Sequence, residues 1–194
     1  MSAALRPPRM TIAEFLAWEE GQELRWEFDG FEPVAMTGAT GAHATLQANL
    51  MIALGGRLRG SPCRIFGSDL KIEAAGSIRY PDAFVTCTPV PATATVVRDP
   101  VVVFEVLSPS TADTDRIDKN REYAATPSIR RYVMLEQGRV AATVFHRQDG
   151  DWIGHLVGPH DTLHLPEIGL ELPLVELYEG IEVLPGPAPS AALP

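Results

Sequence analysis

The stretch Val101-Val102-Val103-Phe104-Glu105-Val106-Leu107 decides how the rest of the chain is read. Six of its seven residues are apolar and four are valine, so it reads as a strand buried on both faces. An ionised carboxylate inside such a run costs several kcal/mol unless something neutralises it. Glu105 therefore needs a partner, and three would serve: a buried Arg or Lys, a proton, or a metal ion. Ser108-Pro109-Ser110-Thr111 breaks the strand just beyond it. That position favours a functional site, because ligands gather at strand ends in α/β sheets.

Working outward, a second acid comes into view. Asp82 follows Pro81 at the start of a strand over Ala83 to Cys87, and only residues 88–100 separate that strand from the first. The two strands can be sheet neighbours, and their carboxylates can then converge on one hard divalent ion, Mg2+ or Mn2+. Taken alone, Asp82 after a proline reads more often as a plain turn residue, and it is the pairing with Glu105 that turns it toward a metal site. Glu27 alternates with Trp26 and Phe28, so it is either a solvent-facing strand residue or a third acid at the site. Lys119 has Asp115 and Tyr123 four residues to either side on one helical face. It is either half of a surface ion pair or an ammonium reaching the site to orient water and stabilise a phosphorane.

The remaining periodicity predicts an α/β fold: a single domain with a central mixed sheet flanked by helices. Thr11 to Glu14 is a capping-box pattern that opens a short amphipathic helix. Leu24 to Phe28 alternates into the turn Asp29-Gly30, with Phe31 to Met36 returning. Leu46, Leu50, Ala53, Leu54 and Leu58 keep helical spacing within 42–58. Strands are expected at 64–66 and 70–73. A helix follows from about Asp113 to Ala125, then an antiparallel meander over 131–136, 140–145 and 152–157, and a helical turn at 174–178. The domain is expected to span 11–182, with an N-terminal extension at 1–10 and a loose Pro/Ala-rich tail at 183–194.

The chain has 194 residues, 45% of them apolar, enough for one domain with a real core. No stretch approaches the ~20 apolar residues of a membrane span, and 1–9 lack the apolar centre of a signal peptide, so a cytoplasmic protein is expected. Cys63 and Cys87 fit no metal spacing or disulfide framework and read as small buried residues in a reducing compartment. The net charge of −9 argues against nucleic acid at first. Yet 148–194 hold eight acids and no Lys or Arg, so the first 147 residues carry only −1.

Four fragments stand in a fixed order: Arg25-Trp26-Glu27-Phe28-Asp29-Gly30, Arg79-Tyr80-Pro81-Asp82, Phe104 to Thr111, and Lys119 to Ala124 with Pro127 to Tyr132. This series resembles the bacterial Uma family of restriction endonucleases, within the PD-(D/E)-x-K nuclease superfamily, and the likeness runs from about Thr11 to Tyr178. It implies a restriction-endonuclease-like fold and metal-dependent hydrolysis of DNA phosphodiester bonds. It also implies that Asp82, Glu105 and the main-chain carbonyl of Val106 hold Mg2+, with Mn2+ as a substitute, and that Glu27 assists. The superfamily pattern places a Lys two residues after the second acid, where this chain has Leu107. The resemblance moves that role to Lys119 on the following helix, with Tyr123 packing or hydrogen bonding beside it.

Arg57, Arg59, Arg64, Arg116, Arg121, Arg130 and Arg131 are candidates for phosphate contacts, with surface solubility the rival role for each. His43 matches a polar position of the family before the second helix, and serves either the site or a cap. His160 and His164 have a spacing some metal sites use, but Pro159 and Pro166 mark a loop there, which weighs against a metal. A homodimer suits cutting of a duplex. Two rival readings remain: a non-catalytic dimerisation or DNA-binding module on a nuclease fold, and a hydrolase of a small phosphoester.

Overall fold

The computed structural model describes residues 10–36, 38–108 and 114–182. The proposed N-terminal extension (Met10 apart), the tail at 183–194 and the Pro109–Asp113 part of the strand break and helix start lie outside them. Helix α1 (Ile12–Glu19) opens on the expected capping box: Thr11 Oγ1 accepts from Glu14 N, and the Glu14 carboxylate accepts from Thr11 N. Strands β1 (Trp26–Phe28) and β2 (Pro33–Ala35) form a hairpin. At its turn Asp29 Oδ1 accepts from the amides of Phe31 and Glu32, and Gly30 takes φ +86°, which favours glycine. Helix α2 (Gly41–Arg57) is capped by Thr40 and buries Leu46, Leu50, Ala53 and Leu54.

Six strands follow: β3 (Arg64–Gly67), β4 (Lys71–Ala74), β5 (Ser77–Arg79), β6 (Ala83–Thr86), β7 (Val96–Val97) and β8 (Val102–Leu107). After β8 come a π turn at Thr114–Lys119 and helix α3 (Asn120–Ala125), where the periodicity predicts one continuous helix. The meander is β9 (Arg131–Glu136), β10 (Ala142–Gln148) and β11 (Asp151–Val157). Strands β12 (Thr162–Leu165) and β13 (Leu170–Pro173) pair with each other, and 174–178 form a 3-10 turn.

The main sheet has the order β11-β10-β9-β8-β6-β3 and is mixed, since β8 runs parallel to β9 and antiparallel to β6. The expected central mixed sheet is accompanied by a second, β2-β1-β5-β4-β7, because β5 pairs with β1 of the hairpin and β4 with β5. Strand β8 lies inside the main sheet with all six residues buried. Its period of two sends Val102, Phe104 and Val106 into the cluster under α2, and Val103 and Leu107 into a second cluster with Tyr123, Tyr132 and Met134. Glu105 shares the second face.

The cysteine expectation is overturned: Cys63 and Cys87 are joined by a disulfide. The pair Arg64↔Thr86 ends the β3–β6 ladder, and one step further the register brings Cys63 opposite Cys87. Two thiols on neighbouring strands need no multi-cysteine framework to meet. No helix among the described residues is long and apolar enough to cross a membrane.

Candidate active site

In the β6–β8 ladder Ala83 pairs with Phe104, so one step beyond it Asp82 faces Glu105 across the sheet. Opposed residues of an antiparallel pair project from the same face. The Val106 amide donates to Asp82 Oδ2 at 2.6 Å, fixing that carboxylate against the strand. Gln47 Nε2 on α2 donates to the Asp82 carbonyl at 2.8 Å. His43, one turn earlier, holds Nε2 3.1 Å from Asp82 Oδ2. That hydrogen bond, with the Asp82 charge, raises the imidazole above its ordinary value against the opposing effect of burial.

The wide turn before α3 supplies the cation. Lys119 Nζ lies 2.9 Å from Glu105 Oε1, 3.1 Å from Asp115 Oδ1 and 3.5 Å from Glu27 Oε1, with its side chain 8% exposed. Tyr132 Oη donates to the Asp115 carbonyl at 3.1 Å, and Tyr123 Oη donates to Glu105 Oε1 at 3.2 Å. Burial pushes the Glu105 carboxyl well up; Lys119 opposes this, while Asp115, Asp82 and Glu27 add to it. Burial alone would lower the Lys119 ammonium, but Glu105, Glu27 and Asp115 hold it well above its ordinary value. Of the three neutralisers open to Glu105, a buried lysine is the one in contact. π turns recur at functional sites, and this one brings Asp115 and Lys119 to the same acid.

Glu27 is buried, not solvent-facing. Its Oε1 accepts from the Tyr80 amide and its Oε2 from Arg79 Nη1, both at 3.0 Å. Burial pushes its carboxyl up, and the charges of Lys119 and Arg79 outweigh that and hold it below its ordinary value. Arg79, 2% exposed, also makes a two-pronged bond to Glu122 at 2.8 and 2.7 Å. Glu27, Asp82, Glu105 and Lys119 thus come together, joined by Asp115, Arg79, Glu122, His43 and Gln47.

These groups line a cleft of about 1020 Å³ whose rim carries Arg25, Arg121, Leu24 and Phe31. Of the arginines expected to meet phosphate, only Arg121 lines the cleft. Arg57 is held by Glu176, Arg131 is buried on Glu167, and Arg116 meets Glu136. His164 pairs with Glu171 across β12–β13, and neither it nor His160 lines the cleft.

The oxygens fit a hard divalent cation. Among the described residues no hydrogen bond occupies Asp82 Oδ1 or Glu105 Oε2, and both side chains line the cleft. Val106 turns its N–H toward Asp82, and in an extended strand its carbonyl turns the same way. Among the described residues no three His, Cys, Asp or Glu side chains close around one point; the Lys119 ammonium lies among Glu105, Asp115 and Glu27.

The fold agrees with that of a solved structure. The chain matches a solved structure titled as a putative nuclease belonging to DUF820 from Anabaena variabilis, with a TM-score of 0.73 at 16% identity, over 87% of this chain and 97% of that one. It is 34% identical to the Synechocystis protein slr1290 over 178 residues, 90% of this chain and 94% of the relative. A second Synechocystis protein, sll1609, is 31% identical over 133 residues, 66% of this chain and 75% of that one. The model of the family Uma2, described as "putative restriction endonuclease", matches residues 12–175, and the chain belongs to that family.

Proposed function

We propose that the chain is a divalent-metal-dependent endonuclease that hydrolyses DNA phosphodiester bonds. The observation that carries this reading is the opposition of Asp82 and Glu105 at the end of β6 and β8, with the buried Lys119 beside them. Asp82, Glu105 and the Val106 carbonyl would hold Mg2+, or Mn2+ in its place. When bound, such an ion lowers the pKa of a water and stabilises charge on the scissile phosphate. Lys119 orients the attacking water or screens the phosphate, as a preorganised cation in a water-poor site. Glu27, tied to Arg79 and the Tyr80 amide, keeps the Lys119 ammonium aimed inward. Arg25 and Arg121 at the rim suit backbone phosphates and carry no base-specific information. A homodimer, one site for each strand of a duplex, belongs to the same proposal.

The test is cleavage of supercoiled plasmid with Mg2+ or Mn2+, alongside Glu105→Gln and an EDTA control. Nicking that needs metal and vanishes in the variant supports the proposal. A variant that cuts as fast as wild type overturns the metal-site assignment. Cleavage of a small phosphoester with none of plasmid transfers the site to that substrate class.

A further inference from the structure

The inner wall of the cleft holds more negative charge than its cations answer. Glu27, Asp82, Glu105, Asp115 and Glu122 face Lys119 and Arg79, with His43 on Asp82, and Arg79 is committed to Glu27 and Glu122. Glu105 and Asp115 are therefore left to one ammonium. Lys119 meets this by standing among Glu105, Asp115 and Glu27 at once. Asp115 Oδ1, buried, accepts no hydrogen bond and is 3.1 Å from Lys119 Nζ, a pairing of charge without hydrogen-bond alignment.

The residue type is informative. The whole chain has two lysines, Lys71 and Lys119, and every other side-chain cation apart from histidine is arginine. Arginine's planar fork locks onto a carboxylate in two-point geometry, as Arg79 does on Glu122. Lysine is a compact point charge on a flexible stem, which can leave one oxygen and keep others. Of the three carboxylates that hold it, only Glu105 is a proposed ligand of the metal.

We propose that Lys119 is the resident counter-ion of Glu105, and that a divalent cation loads by taking Glu105 from it. The inference rests on the metal-dependent reading above and deepens it. In the metal-free protein the ammonium keeps a buried carboxylate from standing alone. A divalent ion then enters against Lys119, binds Glu105 and Asp82, and leaves the ammonium on Asp115 and Glu27. There it is free of Glu105 and can face the phosphate. Metal affinity is lowered by this competition, and loading and release of Lys119 are one event.

Calorimetric titration with Mn2+ tests it on the intact chain, comparing wild type with Lys119→Met. Removing a unit charge about 4 Å from the ion should tighten Mn2+ binding by about tenfold or more. Equal or weaker binding by the variant overturns the counter-ion role. A variant that folds only when Mn2+ is present supports it. A second measurement needs no substitution at Lys119: protein labelled with 15N-lysine gives two side-chain ammonium signals, from Lys71 and Lys119. Mg2+ should shift the Lys119 signal in wild type and leave it in place in Glu105→Gln. A signal that stays put while metal binds sinks the inference and spares the metal site. Absence of any Mn2+ or Mg2+ binding by wild type sinks both.

Discussion

The backbone amide of Val106 donates to Asp82 Oδ2 at 2.6 Å, so the strand that carries Glu105 also sets the rotamer of the acid opposite it. One end of β8 thus contributes a carboxylate, a main-chain carbonyl and the orientation of a second carboxylate. Asp82→Asn keeps the shape and loses the charge. Loss of even an outer partner of a metal ligand costs about 10- to 100-fold, so loss of this ligand should weaken Mn2+ binding and plasmid cleavage beyond 100-fold. The melting temperature should stay close to wild type. Retained binding would remove Asp82 from the ligand set.

Arg79 is the second pillar of the site, and its work is structural. It neutralises Glu27 and Glu122 while 2% exposed. Arg79→Met would take the cation from buried Glu122 and leave Glu27 to Lys119 and the Tyr80 amide, a loss of about 3–5 kcal/mol. Urea denaturation reads it. Recovery in the triple variant that adds Glu27→Gln and Glu122→Gln would show that charge, not volume, sets the loss.

The sheet and the paired acids were legible because their signals are local. Glu105 stands out inside a run of valines, and Asp82 follows a proline one short connection away. Neither needs knowledge of distant residues. Glu27 was half legible: alternation gave its strand, but its face depends on β5, which the hairpin meets through Phe28↔Ile78. Arg79 then buries what periodicity would leave in solvent. Asp115 was visible only as a partner of Lys119 in an ordinary helix. The π turn that aims both at Glu105 is held by Tyr132, 17 residues beyond Asp115 on β9, and no local pattern reveals it. The disulfide was missed for the same reason, since it depends on the β3–β6 register.

His43 gives a pH dependence with a defined sign. Its imidazole is raised above 6.5 in the folded protein by the hydrogen bond to Asp82. The stabilisation it contributes is therefore complete below 6.5 and is lost as pH rises through the raised folded value. Denaturation across that window should show a fall in stability with rising pH that His43→Gln lacks. The imidazole resonances, followed by NMR, should titrate above 6.5 in wild type and move down in Asp82→Asn. A titration at or below the ordinary value would remove the His43–Asp82 bond from the site.

The disulfide and the site sit at opposite ends of one strand. Strand β6 runs Ala83–Thr86, with Asp82 just before it and Cys87 just after. Closing a loop between residues 24 apart in sequence restricts the unfolded chain by about 3 kcal/mol on the chain-entropy account. Cys63→Ala with Cys87→Ala should therefore lower stability by up to that amount. The site is held by the Val106 amide, Gln47 and His43, none of which touches the disulfide. Mn2+ affinity at a temperature where both proteins are folded should then match wild type within about twofold, because distant independent sites add within roughly 0.3–0.5 kcal/mol. A large drop in affinity without a drop in stability would mean that the bridge sets the position of Asp82 through β6.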